Sequence, residues 1–271
     1  MIRSCVLVGG AGAVGGMFAK LLTASGIAVD VVDPSVDGRT VADVDPSAAD
    51  MVMLAVPERV ALAALPGVSA AMRPDALLVD TLSVKGRIAA IAPDRQMVSL
   101  NPMFAPSLGM AGRPVAAVVL GDGPAARELL AHVETWGGRV VRTDADTHDK
   151  LTAAAQVLTH AAVLGFGHAL AAMNLDITQL SAIAPPPHTT MLALLARITS
   201  GTPEVYWDVQ AANPYAPQAR QHLADGIRAV ADAVEQGTEA DFAALLARMA
   251  GALGPDMDHY RDLCARLFTV S

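Results

Sequence analysis

The stretch Gly9-Gly10-Ala11-Gly12-Ala13-Val14-Gly15-Gly16 constrains the fold of this chain most, because of what flanks it. The apolar run 2–8 before it reads as a buried strand, and the apolar-periodic residues 17–25 after it read as a helix. Gly10, Gly12 and Gly15 fit the spacing G-x-G-x-x-G. In that pattern one glycine permits a tight turn, the next lets a pyrophosphate approach the backbone, and the third lets helix pack on strand. Ala13 and Val14, inside the turn, are expected to contact the cofactor, and the N-terminus of the helix that follows offers unpaired N–H groups and a positive dipole end to phosphate. Glycine spacing alone is weak evidence in a chain rich in alanine and glycine, so the weight rests on the strand before it and the helix after it.

A second strand, 28–32, ends at Asp33, where a carboxylate can accept hydrogen bonds from a ribose 2′-hydroxyl and repel a 2′-phosphate. The bland alternative for Asp33, a solvated strand end before Pro34, loses ground because the glycine turn precedes it, and NAD is the expected cofactor. Further short apolar runs at 50–56, 76–79, 97–100, 115–120 and 139–142 alternate with helix-like stretches. The pattern predicts an α/β, Rossmann-type doubly wound, mostly parallel sheet over 1–147. Ligands in such sheets sit beyond the carboxyl ends of the strands, which draws attention to Val56, Pro57, Ser83 and Asn101.

From His148 onward the strands give way to helical periods at 149–173, 189–200, 203–235 and 239–268, with breaks at Pro185-Pro186-Pro187, Gly201 and Gly237. An all-α domain over 148–271 is expected. Its first helix is apolar nearly all round, which implies cover by other helices or by a second copy, and a homodimer through this half follows. The alternative is a core helix within one chain. His160, His168 and Arg197 stand in these apolar stretches. His168 reads as a satisfied core residue, whereas the Arg197 guanidinium suits a substrate carboxylate supplied in a cleft between the halves.

Composition narrows the partners. With 271 residues, 53% hydrophobic and 17% charged, the chain is globular, and its formal charge of −8 argues against nucleic acid. No leader and no apolar run of spanning length stands out, so a cytoplasmic protein without membrane attachment is expected. Cys5 and Cys264 give neither a disulfide framework nor metal-ligand spacing; both read as packing residues, and no metal is expected.

The glycine turn, Asp80-Thr81-Leu82-Ser83-Val84-Lys85-Gly86, Asn101-Pro102-Met103-Phe104, the helix around His160, and Arg197 ahead of Tyr206-Trp207-Asp208 together resemble the prephenate/arogenate dehydrogenases in order and spacing. The resemblance implies an NAD-dependent oxidative decarboxylation, in which hydride leaves C4 of a cyclohexadiene, the C1 carboxylate departs as carbon dioxide, and the ring aromatises. It implies that Ser83 lies near the C4 substituent, that His160 and Tyr206 line the substrate pocket, and that Arg197 holds a carboxylate. The family's general base, a histidine, is replaced by Asn101. An amide can accept a hydrogen bond but cannot take up a proton at neutral pH. The substitution fits members of the family that oxidise 4-amino-4-deoxyprephenate to 4-aminophenylpyruvate on routes to aminophenylalanine-derived products, since nitrogen carries developing cationic charge better than oxygen. Two acidic positions found in some members are Ser107 and Leu194 here. The competing readings are a prephenate or arogenate dehydrogenase whose base is Ser83 through a water, a reductase relying on Lys150, and a nucleotide sensor without chemistry. Lys150 reads more simply as a solvated partner of neighbouring aspartates.

Overall fold

The structure, a computed structural model, describes residues 1–269 and divides into two compact units. One comprises Met1–Thr152 with Trp207–Asn213, the other Ala153–Tyr206 with the chain from Pro214 onward.

The first unit is built on a seven-stranded sheet: β1 (Ser4–Val8), β2 (Ala28–Val32), β3 (Met51–Leu54), β4 (Leu77–Asp80), β5 (Met97–Pro102), β6 (Pro114–Gly121) and β7 (Arg139–Arg142). The order is β2-β1-β3-β4-β5-β6-β7, and only the β5–β6 pair is antiparallel. The expected doubly wound sheet is therefore present. β3 and β4 are buried along their whole length, which explains why they read as continuous apolar runs without alternation. Alternate side chains feed two cores: Leu7, Met53 and Leu100 meet Phe18 and Leu22 on one face, while Val8, Leu54 and Leu78 meet Leu65 and Ile88 on the other. Burial of each large side chain contributes about 1.5–3 kcal/mol. The helices of this unit are α1 (Ala13–Ala24), α2 (Glu58–Ala71), α3 (Gly86–Ala90), α4 (Pro124–Thr135) and α5 (Ala145–Thr152).

One boundary differs in a way that matters. Asn101 does not lie past the end of β5 but inside it, because β6 returns antiparallel and pairs Asn101 with Ala116 and Pro102 with Val115. The residue is thereby held by a ladder on a rigid element.

In the second unit the α-helical path of α5 passes through a π-helical stretch, Ala153–Leu158, into α6 (Thr159–Ala172). There follow α7 (Ile177–Ala182), which the periodicity missed, α8 (Pro186–Thr199), α9 (Pro203–Ala212), α10 (Ala216–Glu235), α11 (Glu239–Leu253) and α12 (Met257–Phe268). The proline run starts a helix instead of only breaking one, since Pro186 occupies the first turn where no N–H is required. The single expected helix 203–235 is interrupted at residues 213–215, and 239–268 at Gly254, whose φ of 54° ends α11.

Three further expectations need correction. His168 is exposed, not a core residue. Cys264 is exposed as well, while Cys5 is buried and its thiol is pushed up to about 12 by desolvation. The continuous run 145–172 is long and apolar enough to cross a bilayer, contrary to the reading of no such stretch; its polar first turn masks the length. Little of that run is covered within the chain: Leu151 is 61% and Leu164 37% exposed. A core helix within one chain is thus not what α6 is.

Candidate active site

The reversal of strand order between β1 and β3 opens a crevice above their carboxyl ends, where the glycine turn and residues 55–57 meet. The turn glycines differ in what they do. Gly9, which lies outside the G-x-G-x-x-G spacing, has the left-handed φ of 85°, and a Cβ there would stand 2.2 Å from the Ala55 carbonyl oxygen. At Gly10 a Cβ would meet Val31 Cγ1 at 2.5 Å, and at Gly15 the Gly9 carbonyl oxygen at 2.2 Å. These three are required by the fold. Gly12 is exposed and a Cβ there would meet only Gly9 O, at 3.3 Å, so its bareness serves whatever approaches from outside. It is the N-cap of α1 and no side chain caps the helix, leaving the amides at Ala13 and Val14 for a ligand.

Asp33 anchors this turn. Its Oδ2 accepts from Ala11 N at 3.0 Å, and its Oδ1 accepts from Ser35 N and Oγ. The Ser35 hydroxyl and amide, with the Ala11 amide, hold its carboxyl below the usual range, so it is an anion at neutral pH. Gly12, Asp33, Val56 and Pro57 share one cavity of about 440 Å³ with Thr40 and Val41. Arg39, the cation nearest in sequence, is committed to Asp30 and Asp37. A crevice with bare amides at one end and a carboxylate at the other fits a dinucleotide whose ribose 2′-hydroxyl is free.

Beyond β4 and β5 lies a buried polar cluster that the motif reading did not find. The fully buried Lys85 donates from Nζ to the carbonyls of Leu82 and Leu100, and Asp80 Oδ1 lies 3.6 Å away. Those carbonyls belong to the residues just before Ser83 and Asn101, so one ammonium holds both segments. Burial pulls this ammonium down to about 8, with Asp80 and Asp149 opposing. Asp149 Oδ1 accepts from Lys85 N at 2.8 Å, and Oδ2 from Gly86 N at 2.8 Å. The same carboxylate lies 2.8 Å from His148 Nδ1, and His148 Nε2 lies 3.1 Å from Asn101 Nδ2. Asn213 closes the cluster by donating to Asp149 O and Thr152 Oγ1.

The second unit brings His160, Tyr206 and Arg197 into one neighbourhood. The rings of His160 and Tyr206 meet edge to face with centroids 5.1 Å apart, and Tyr206 packs over Gly201, where a Cβ would come within 2.8 Å of its ring. Burial, and then the positive charge of Arg197, lower the pKa of His160 and keep its ring neutral. Arg197 itself is exposed and has no ion-pair partner among the described residues, as expected of a group that binds an anion. His160 Nδ1 and, one turn earlier in the π-helical stretch, Gln156 Oε1 are buried without hydrogen-bond partners among the described residues. Nothing in the sequence points to Gln156; π-helical segments are frequent at functional sites. Lys150, by contrast, is exposed and paired with Asp146 at 2.6 Å, which removes it as a catalytic lysine.

These features define a dinucleotide-binding α/β unit joined to a helical unit that presents an arginine and a neutral histidine. Residues 144–248 match the family model for the prephenate dehydrogenase dimerization domain. The chain is 53% identical over 285 residues to a 4-amino-4-deoxyprephenate dehydrogenase of Streptomyces pristinaespiralis, covering 98% of this chain and 96% of that protein. It is 33% identical over 216 residues to a T-protein of Enterobacter agglomerans, covering 77% and 56% respectively. Among solved structures it resembles prephenate dehydrogenase from Aquifex aeolicus in complex with hydroxyphenyl propionate and NAD+, with a TM-score of 0.69, 18% identity and coverage of 100% and 99%. The chain belongs to the prephenate dehydrogenase family.

Proposed function

We propose that the protein is an NAD-dependent dehydrogenase that converts 4-amino-4-deoxyprephenate to 4-aminophenylpyruvate with loss of carbon dioxide. The observation that carries this is the hydrogen-bonded state of Asn101, which donates from Nδ2 to His148 and so keeps its carbonyl oxygen to accept an amine N–H. The name and extent of the Streptomyces relative point the same way.

Bound NAD supplies the hydride acceptor, on a crevice formed by Gly10, Gly12, Ala13, Val14, Gly15, Asp33, Val56 and Pro57. Asn101 and Ser83, held through the Lys85 ammonium, orient the C4 substituent. As hydride leaves C4, the nitrogen lone pair carries the developing positive charge; the departing C1 carboxylate then returns its electron pair to the ring. The amine reacts in its neutral form, having left its ammonium proton to solvent before binding, so neither step requires the protein to remove a proton and an amide suffices where a base stood. Arg197 binds a substrate carboxylate and the neutral His160 offers an acceptor beside it, with Tyr206 packed against its ring. A hydroxy substrate would need a base, and the nearest imidazole nitrogen, His148 Nε2, is already engaged by Asn101.

The family name of residues 144–248 and the uncovered apolar surface of α6 support a homodimer formed through the helical half, 148–271, with 1–147 as the cofactor half. Its partners are then a small acid and a second copy, with no nucleic acid, membrane or metal. A free, exposed Cys264 suits the reducing cytoplasm. The test is Asn101→His: restoring a base should raise prephenate turnover at least about tenfold, as general-base catalysis contributes about 10²–10⁴. An unchanged preference would place the determinant elsewhere.

A further inference from the structure

The direction in which the Asn101 amide points is not set by Asn101. His148 and Asp149 are 2% and 1% exposed, and Asn101 is 3% exposed, so the three interact away from water. Asp149 is fixed before it meets the imidazole, because its two oxygens take the Lys85 and Gly86 amides. The end of α5 that carries both residues is pinned by Thr152 Oγ1 donating to His148 O at 3.0 Å and by Asn213 donating to Asp149 O at 2.8 Å. A carboxylate oxygen 2.8 Å from Nδ1 accepts, so Nδ1 carries the hydrogen, and in the neutral ring Nε2 is then a bare lone pair. Only the Nδ2 side of the Asn101 amide can face that lone pair at 3.1 Å; the flipped amide would set two acceptors against each other in a dry site.

We propose that His148 is a positioning residue that fixes the Asn101 amide with its oxygen as the outward acceptor, so that the preference for an amine is encoded by the Asp149–His148–Asn101 chain; this rests on the function proposed above. The chain imposes an acceptor on whatever polar group stands at position 101. A histidine there would donate one ring N–H to His148 and leave its other nitrogen bare, which is a base. One buried device thereby serves either chemistry, and the residue at 101 selects between them.

The test is a double-mutant cycle in the full-length enzyme with NAD and 4-amino-4-deoxyprephenate, comparing wild type, His148→Leu, Asn101→Ala and the double variant. His148→Leu should lower kcat/KM at least about tenfold, the equivalent of one lost buried hydrogen bond, and should cost nothing further once Asn101 is replaced by alanine. His148→Gln, whose amide oxygen can still accept from Asn101, should recover part of the loss. If His148→Leu does not fold, as read from its melting curve, His148→Phe, which keeps a ring but offers no acceptor, is carried through the same cycle. Equal losses with Asn101 present and with Asn101→Ala in place would overturn the proposal, since a purely structural histidine costs the same in both backgrounds. Running the series with prephenate separates the two claims. A wild type that favours prephenate contradicts the proposed function, while the cycle on that substrate still decides whether His148 acts through position 101.

Discussion

In the site proposed above, Arg197 and His160 divide the work of holding an acid. The arginine stays exposed and uncommitted, and its charge, added to burial, keeps the histidine neutral below the ordinary titration range of the residue. Two consequences can be measured. Arg197→Leu should raise KM about 10–100-fold with a smaller effect on kcat, the scale of one or two charge-assisted hydrogen bonds. The same variant should raise the pKa of His160, visible as an upward shift in its NMR titration, because the second cause of the depression has been removed while burial remains. An unchanged titration would mean that the Arg197 charge does not reach the ring. His160 is legible as a candidate only through the family resemblance, since His168 stands in the same apolar stretch and is exposed. Gln156 is not, because glutamine at an unremarkable position says nothing until its carbonyl oxygen is seen to be buried without a donor.

At the scale of elements, the glycine turn shows that one spacing motif contains two kinds of glycine. Gly15 is required by packing of α1 against β1, for a methyl group there would sit 2.2 Å from a backbone oxygen that cannot move independently. Gly12 faces outward with only a contact at 3.3 Å. Gly15→Ala should therefore destabilise the fold by about 1–3 kcal/mol, as overpacking of a tight contact does. Gly12→Ala should leave the melting temperature nearly unchanged while weakening NAD binding; a variant at Gly12 that melts early but binds NAD normally would reverse these roles. The sequence spacing reveals this element because strand, turn and helix are local. It does not single out the left-handed position, which falls at Gly9, since neighbouring glycines are indistinguishable until one backbone torsion is known. The buried cluster is illegible for a different reason: it joins Asn101 to His148 across 47 positions and Lys85 to Asp149 across 64, and no local period encodes such pairs. In the sequence Lys85 stands out only as part of a motif.

For the whole molecule, the alternation of apolar runs and helical periods predicts the doubly wound sheet followed by helices, because each strand buried on both faces announces itself as a short apolar run. What the sequence conceals is coverage. An apolar helix reads the same whether its own chain or another chain covers it, and here Leu164, Met173, Ile227 and Val230 are open on the single chain. A dimer is therefore expected by sedimentation at micromolar concentration, shifted toward monomer by Leu164→Asp; a wild type that sediments as a monomer would contradict the proposed assembly. What sets this molecule apart in the function proposed for it is chemical: the assignment of an amine substrate rests on Asn101. The most direct test is the rate of NADH formation by the purified protein with NAD, offered prephenate, arogenate and 4-amino-4-deoxyprephenate in parallel. The kcat/KM for the amino compound should stand at least about a hundredfold above the other two, in line with the lower range of a missing base. Comparable or faster turnover of prephenate or arogenate would contradict the role given to Asn101.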